Sequence, residues 1–162
     1  MPHLQWHTSD LACNHEVINA WIDLSQLSNV ERPLELDATA GEWHVGEHCI
    51  EWVYTANVLH IVSWELCASL IGHAAGVLRG GKEGVGGRKK KGLLVYGPFN
   101  YGGKYTSESN AKFDEWLKNR DPQSAIRDIE AVKQVAEEKG FLLVNDFEMP
   151  ANNRLLQFEL VY

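Results

Sequence analysis

The sequence predicts an α/β fold in three layers: a mainly parallel sheet with helices on both faces and an antiparallel hairpin at the C-terminal end. Strand-like and helix-like stretches alternate along the chain, which implies βαβ crossovers and parallel pairing. The run "GLLVYGPF", Gly92 to Phe99, is continuously apolar, as expected of a strand buried on both faces of a parallel sheet. The last two strand-like stretches are joined by a short turn, which sets the final strand antiparallel to its neighbour.

The first strand reads from Leu4 to Thr8 and runs into Asp10. Val17, Ala20, Trp21, Leu24 and Leu27 then recur at helical spacing, with Asn14 as N-cap and Glu16 in the first turn. "RPLELDATA" is a short strand ending at a second acid, Asp37, and "IEWVYTAN", Ile50 to Asn57, is a third strand leading into a helix from Trp64 to Leu78. After Gly92 to Phe99, "SESNAKFDEWLKNRD" reads as a helix stopped before Pro122. The next helix follows Asp128, with Ile129, Val132, Val135 and Ala136 inward, Lys139 in its last turn and Gly140 as the C′ residue. "FLLVNDFEM", the "PANN" turn and "RLLQFELVY" close the chain as a hairpin.

A chain of 162 residues that is 44% hydrophobic has the size of one globular domain, residues 1–162. The formal charge of −7, from 22 acidic against 15 basic residues, argues against a nucleic-acid partner. Three cysteines without a CxxC pair fit a reducing, cytoplasmic setting better than a disulfide framework. No basic segment followed by an apolar run opens the sequence, and Val53 to Leu78 is too interrupted for a membrane span. The combinations His7, Cys13 and His15, or His44, His48 and Cys49, do not follow a zinc spacing, so no metal site is expected.

In a sheet of this kind ligands bind at the carboxyl ends of the strands. Asp10, Asp37, Asn57 with His60, Gly97 with Pro98, and "MPANN" all fall at strand ends. Asp10 and Asp37 are the residue type that accepts hydrogen bonds from a ribose diol or an adenine amino group, and equally the type that caps a turn. His60 with Asn57 suits substrate positioning or proton transfer, or the local satisfaction of backbone groups. The glycine-rich tract at residues 79–92 follows a helix and precedes a strand, the wrong order for a phosphate cradle, and reads as a flexible surface loop. Trp43, Trp52, Trp64 and Trp116 read as core or pocket wall. No GxSxG, HExxH or P-loop motif is present.

The segments "ANVLHIVSW", "YGPFNYGGKYTSESNAKFDEWLKNRDP", "IRD" and "EMPANN" resemble the methyltransferase-like protein 26 family, homologues of class I S-adenosylmethionine-dependent methyltransferases. The resemblance covers nearly the whole chain. It implies a Rossmann-like methyltransferase sheet of strand order 3-2-1-4-5-7-6 and S-adenosylmethionine as cofactor. It places Asp10 at the ribose hydroxyls, Asp37 near the adenine and Asn57 near the methyl donor. His60 becomes the catalytic base, and Tyr96, Gly97, Pro98, Asn110, Met149, Asn152 and Asn153 line the substrate pocket.

The family's first strand and its glycine-rich turn have no counterpart here, so a truncation of roughly 40 residues at the N-terminus is expected, the size of one βα unit. The Leu4 to Thr8 strand is then expected either to pair with the Ile50 to Thr55 strand or to leave both edges open. An open edge invites strand donation or a homo-oligomer. The expected function is methyl transfer to a small-molecule or otherwise unassigned acceptor. A non-catalytic homologue acting as a binding or scaffold protein is the alternative, and a nucleotide-binding oxidoreductase on a similar sheet is a third reading.

Overall fold

The computed structural model describes residues 3–80 and 90–161. The chain packs as two compact units, Met1–Gly46 and Glu47–Tyr162.

In the first unit, strand β1 (Trp6–Asp10), a 3-10 turn (Ala12–Asn14), helix α1 (His15–Ser25) and strand β2 (Val30–Glu35) form a parallel βαβ unit. Trp6 stands opposite Val30 and Asp10 opposite Glu35, with a register shift between His7 and Ser9. Pro33 lies in the part of β2 facing the shift and has no N–H for the ladder. The first strand thus starts and ends two residues later than its sequence pattern suggests. Asn14 precedes α1 but does not cap it with its side chain; its Nδ2 donates instead to Asp10 Oδ1 at 2.8 Å. The helix stops at Ser25, where Gln26 turns left-handed at φ 52°. Its half-buried apolar residues are Ile18 and Ile22, while Val17, Trp21 and Leu24 are 62, 66 and 72% exposed. A two-stranded sheet covers only a narrow strip of a helix, so the rest of the apolar face stays outside.

The second unit contains β3 (Trp52–Ala56), α2 (Trp64–Gly80), β4 (Gly92–Gly97), β5 (Phe99–Asn100), α3 (Glu108–Arg120), β6 (Arg127–Asp128), α4 (Ile129–Glu138), β7 (Phe141–Met149) and β8 (Asn153–Leu160). Its main sheet has the order β3-β4-β8-β7, with β3 parallel to β4 and β8 antiparallel to both of its neighbours. β5 and β6 form a short parallel pair. In each sheet the order agrees with the corresponding part of 3-2-1-4-5-7-6. Among the described residues β1 has β2 as its ladder partner and β3 has β4.

The core of this unit joins Cys67, Ile71, Ala74 and Leu78 of α2 to Leu93 and Val95 of β4, Leu156 and Phe158 of β8, and Val132 and Ala136 of α4. β4 is not buried on both faces as its apolar run suggests: Leu93 and Val95 are buried, but Leu94 and Tyr96 are only half-buried. Of the glycine-rich tract, Arg79 and Gly80 end α2 and Gly92 opens β4, so these positions are regular structure rather than loop; residues 81–89 lie outside the described residues. No helix among the described residues is long and apolar enough to cross a membrane.

α3 begins where Ser107 Oγ accepts from the Asn110 amide at 3.1 Å, and it ends before Pro122 as the sequence requires. Within it Asp114 is 1% exposed. Its carboxylate accepts from Tyr105 Oη at 2.7 Å, the Ile126 amide at 2.6 Å and Lys118 Nζ at 2.6 Å. Burial alone would raise its pKa, but the bonds from Lys118, Tyr105 and Ile126 outweigh it and hold the carboxyl below its ordinary value of 3.8.

Two outcomes follow for stability. Asp114→Ala leaves the buried Ile126 amide unpaired and lowers the unfolding free energy by about 3 kcal/mol in urea titration at neutral pH. Because the folded carboxyl is depressed, its contribution is present above its ordinary pKa and is lost as the pH falls through the folded value, so the wild-type advantage disappears in acid. Gly92→Ala drives a methyl group into the Phe158 carbonyl and the Trp52 ring, with an expected cost of about 1–3 kcal/mol by the same measurement.

Candidate functional site

β3 and β4 run parallel with Ala56 opposite Tyr96, so both end at one edge of the sheet. Asn57 turns the chain there with φ 57°, a left-handed conformation that asparagine tolerates, and its N–H donates to the Tyr96 carbonyl at 2.9 Å. The following residues form one tight turn, in which the Ile61 and Val62 amides donate to Val58 O at 2.9 and 3.2 Å. Leu59 O accepts from Cys67 Sγ at 3.1 Å and Arg127 Nε at 3.0 Å, Ile61 O from Ser124 Oγ, and Val62 O from Arg127 Nη2.

His60 sits inside this turn and is 5% exposed. Its ring meets the Phe113 ring edge-on, with centroids 5.4 Å apart at 68°. A Cβ placed on Gly97 would stand 3.5 Å from His60 Nδ1 and 3.9 Å from Asn57 Oδ1, so the two side chains converge over the last residue of β4. Burial first, and the nearby Arg127 charge second, push the imidazole below its ordinary value of 6.5. At neutral pH it is an uncharged base at a strand end, lacking a hydrogen-bond partner among the described residues.

A second cluster adjoins Tyr96. The buried Asn110 donates through Nδ2 to Thr106 Oγ1 at 2.9 Å and to Asn152 O at 3.3 Å. Asn152 Nδ2 donates to Ser109 Oγ at 3.1 Å, and Asn153 Nδ2 to the Tyr96 hydroxyl at 3.2 Å. The N-terminus of α3, the Pro150–Asn152 turn and the end of β4 are thereby tied together. Gly97 and Pro98 are buried at the same strand end, and Met149 is half-buried opposite Asn153 in the hairpin.

In the first unit, Asp10 ends β1 and Asp37 lies just beyond β2 at the same edge of the parallel pair, where the Leu36 amide donates to Asp10 O at 3.2 Å. Asp10 Oδ1 accepts from the Leu11 amide at 2.7 Å and from Asn14 Nδ2. Asp37 Oδ1 accepts from the Thr39 amide at 2.7 Å and Thr39 Oγ1 at 2.8 Å, bonds that lower its pKa. In both acids one carboxylate oxygen holds the following turn, while Oδ2 has no such bond among the described residues.

The family model described as "Protein of unknown function (DUF938)" matches residues 1–160. This chain belongs to that family. Among solved structures, its fold is similar to an O-methyltransferase family protein from Burkholderia thailandensis, at a TM-score of 0.76 and 18% identity. It is also similar to the apo form of the S-adenosylmethionine-dependent methyltransferase SibL, at 0.75 and 21%. A third is an O-methyltransferase family 2 protein from Planctomyces limnophilus in complex with apigenin, at 0.74 and 18%. Each match covers 99% of this chain, but the chain spans only 44 to 45% of those proteins' lengths. At such identities the likeness is one of fold: an α/β sheet, mixed parallel and antiparallel, shared with methyltransferases.

In this DUF938 chain the structure adds residues that sequence reasoning did not single out. Arg127, inside the "IRD" segment, and Ser124, two residues before it, hold the His60 turn from more than 60 residues away. Phe113 lies on the α3 face toward His60 and stacks on Trp116 at 5.9 Å. Trp116, expected in the core or a pocket wall, is 53% exposed, with the Arg120 guanidinium over its ring.

The state of His60 is directly measurable. Proton NMR titration is expected to give it a midpoint below 6.5. Since the unfolded histidine takes up its proton first as the pH falls, the folded state loses stability between the ordinary value and the folded one. His60→Gln removes that segment of the stability-versus-pH curve.

Proposed function

We propose that this chain carries out S-adenosylmethionine-dependent methyl transfer to a small-molecule acceptor bearing a removable proton, and that it stands with the methyltransferase-like protein 26 relatives of class I methyltransferases. One observation carries the reading: an uncharged, buried His60 converging with Asn57 over Gly97 at the carboxyl ends of two parallel strands, on a fold shared with S-adenosylmethionine-dependent methyltransferases.

The donor set fits the nucleoside part of that cofactor. Asp10 and Asp37 each keep Oδ2 outside their turn-holding bonds at the edge of one parallel pair, and carboxylates suit hydroxyl and amino donors. In the first unit Asp10 is assigned to the ribose hydroxyls and Asp37 to the adenine amino group. When bound, S-adenosylmethionine supplies an electrophilic methyl group. His60 accepts the acceptor's proton as that atom becomes nucleophilic, and its burial keeps bulk water from competing. Tyr96, Gly97, Pro98, Asn110, Met149, Asn152 and Asn153 orient the acceptor, which is the main requirement of an in-line transfer. Their side chains carry no charge, which favours an uncharged acceptor skeleton.

A non-catalytic binding homologue is the second reading. It is favoured by the use of Asp10 and Asp37 as turn caps, a task that needs no cofactor.

Calorimetric titration with S-adenosylhomocysteine separates the two readings. Saturable heat is expected, and its absence at about 1 mM ligand overturns the catalytic reading. Asp10→Asn, which keeps an oxygen for the turn but removes the charge, is expected to weaken binding about tenfold. With labelled methyl donor and a panel of small hydroxylated acceptors, His60→Gln is expected to slow transfer by about 10² to 10⁴ at unchanged cofactor affinity.

A further inference from the structure

We infer that Arg127 is a positioning residue of the proposed site: its guanidinium fixes the 57–62 turn in the arrangement that presents His60 and Asn57 over Gly97. The inference rests on the methyl-transfer reading, because positioning has a functional meaning only where His60 acts.

Arg127 Nε donates to Leu59 O at 3.0 Å, and Nη2 donates to Val62 O at 2.5 Å and to Gln123 O at 2.8 Å. Leu59 and Val62 bracket His60, so one rigid planar group grips the turn on both sides of the histidine. Ser124 Oγ donates to Ile61 O from the same segment, closing the gap between those two grips. The guanidinium is itself fixed, 5.9 Å from the centre of the Trp64 ring at the start of α2. The fork satisfies turn carbonyls three residues apart, Leu59 O and Val62 O, with donors whose spacing is set by the plane, which a lysine ammonium cannot reproduce.

The same cation acts on the proton affinity of His60. From α2 it faces Glu65, whose carboxyl it helps to lower, and the Cys67 thiol, which shares Leu59 O with it. α3 contributes the uncharged Phe113 edge against His60. The Arg127 charge is therefore the ionic influence on the imidazole from the groups packed around it. One side chain thus holds the turn that carries His60 and adds its charge to the burial that lowers the proton affinity of the imidazole.

The test uses the full chain with Arg127→Gln and Arg127→Lys, read by NMR titration of His60 and by hydrogen exchange of the 58–62 amides. In Arg127→Gln the His60 midpoint is expected to rise toward 6.5 and exchange of the turn to quicken by about tenfold or more, while the exchange of α4 and β8 stays unchanged. In Arg127→Lys the midpoint is expected to stay close to wild type, because the charge is kept, and the exchange is expected to quicken because the fork is lost. A folded Arg127→Gln with wild-type midpoint and exchange overturns the inference. Should that variant fail to fold, wild-type exchange of the turn in Arg127→Lys overturns it. Neither readout needs cofactor, so a chain that binds no S-adenosylhomocysteine would sink the proposed function without altering these two measurements.

Discussion

Asp114 is the constraint on which the arrangement of the second unit depends. A carboxylate at 1% exposure is costly to bury unless donors surround it, and three do, one of them the amide of Ile126. That bond ties the middle of α3 to the residue before Arg127. From there Ser124 and Arg127 reach the carbonyls of the His60 turn. Phe113, the residue preceding Asp114, meets the His60 ring from the other side. One turn of one helix thus sets both the support and the contact of the histidine. The order of dependence runs from a buried charge through a backbone amide to the buried His60.

Strand register does the rest. Parallel pairing of β3 with β4 puts Ala56 beside Tyr96, so Asn57 and Gly97 emerge together at one edge. β8 runs the other way, with Arg154 opposite Gly97, and so the turn before it arrives at that same edge. The Tyr96 hydroxyl then meets Asn153, and Asn110 meets Asn152. In the first unit the parallel pair behaves alike: Asp10 faces Glu35, and Asp37 follows two residues later. Side chains far apart in sequence become neighbours because parallel strands share an end, which is also why sheets of this kind collect ligand groups there.

Much of this was readable from the chain itself. Alternating apolar periods, Gly140 past α4, Pro122 past α3 and the "PANN" turn locate most elements, since each is a local signal. Asn57, His60 and Gly97 are recognisable as strand-end residues for the same reason. What the sequence does not carry is tertiary: which face of an apolar element finds a partner. Val17, Trp21 and Leu24 have the spacing of an inward stripe, yet the two-stranded sheet meets Ile18 and Ile22 instead. "GLLVYG" has the composition of a doubly covered strand, yet Leu94 and Tyr96 remain partly open. Arg127 reads as one surface charge among many until its acceptors, 65 and 68 residues away, are known.

The Pro150–Asn152 turn shows how these constraints meet. Ala151 and Asn152 both have φ 59°, and for alanine the left-handed region costs about 1 kcal/mol or more because its Cβ crowds the next carbonyl. Asparagine tolerates that region better than alanine, and a tight hairpin turn with positive φ at both central residues requires it of both. The bonds of the polar cluster then fix the turn against its neighbours: Asn110 to Asn152 O, Asn152 to Ser109, and Asn153 back to Pro150 O. Two successive residues at positive φ between Pro150 and Asn153, closed by the Asn153 N–H to Pro150 O bond, are the pattern of a favoured hairpin turn, so the hairpin supplies the conformation and the polar cluster ties that turn to α3 and to Tyr96.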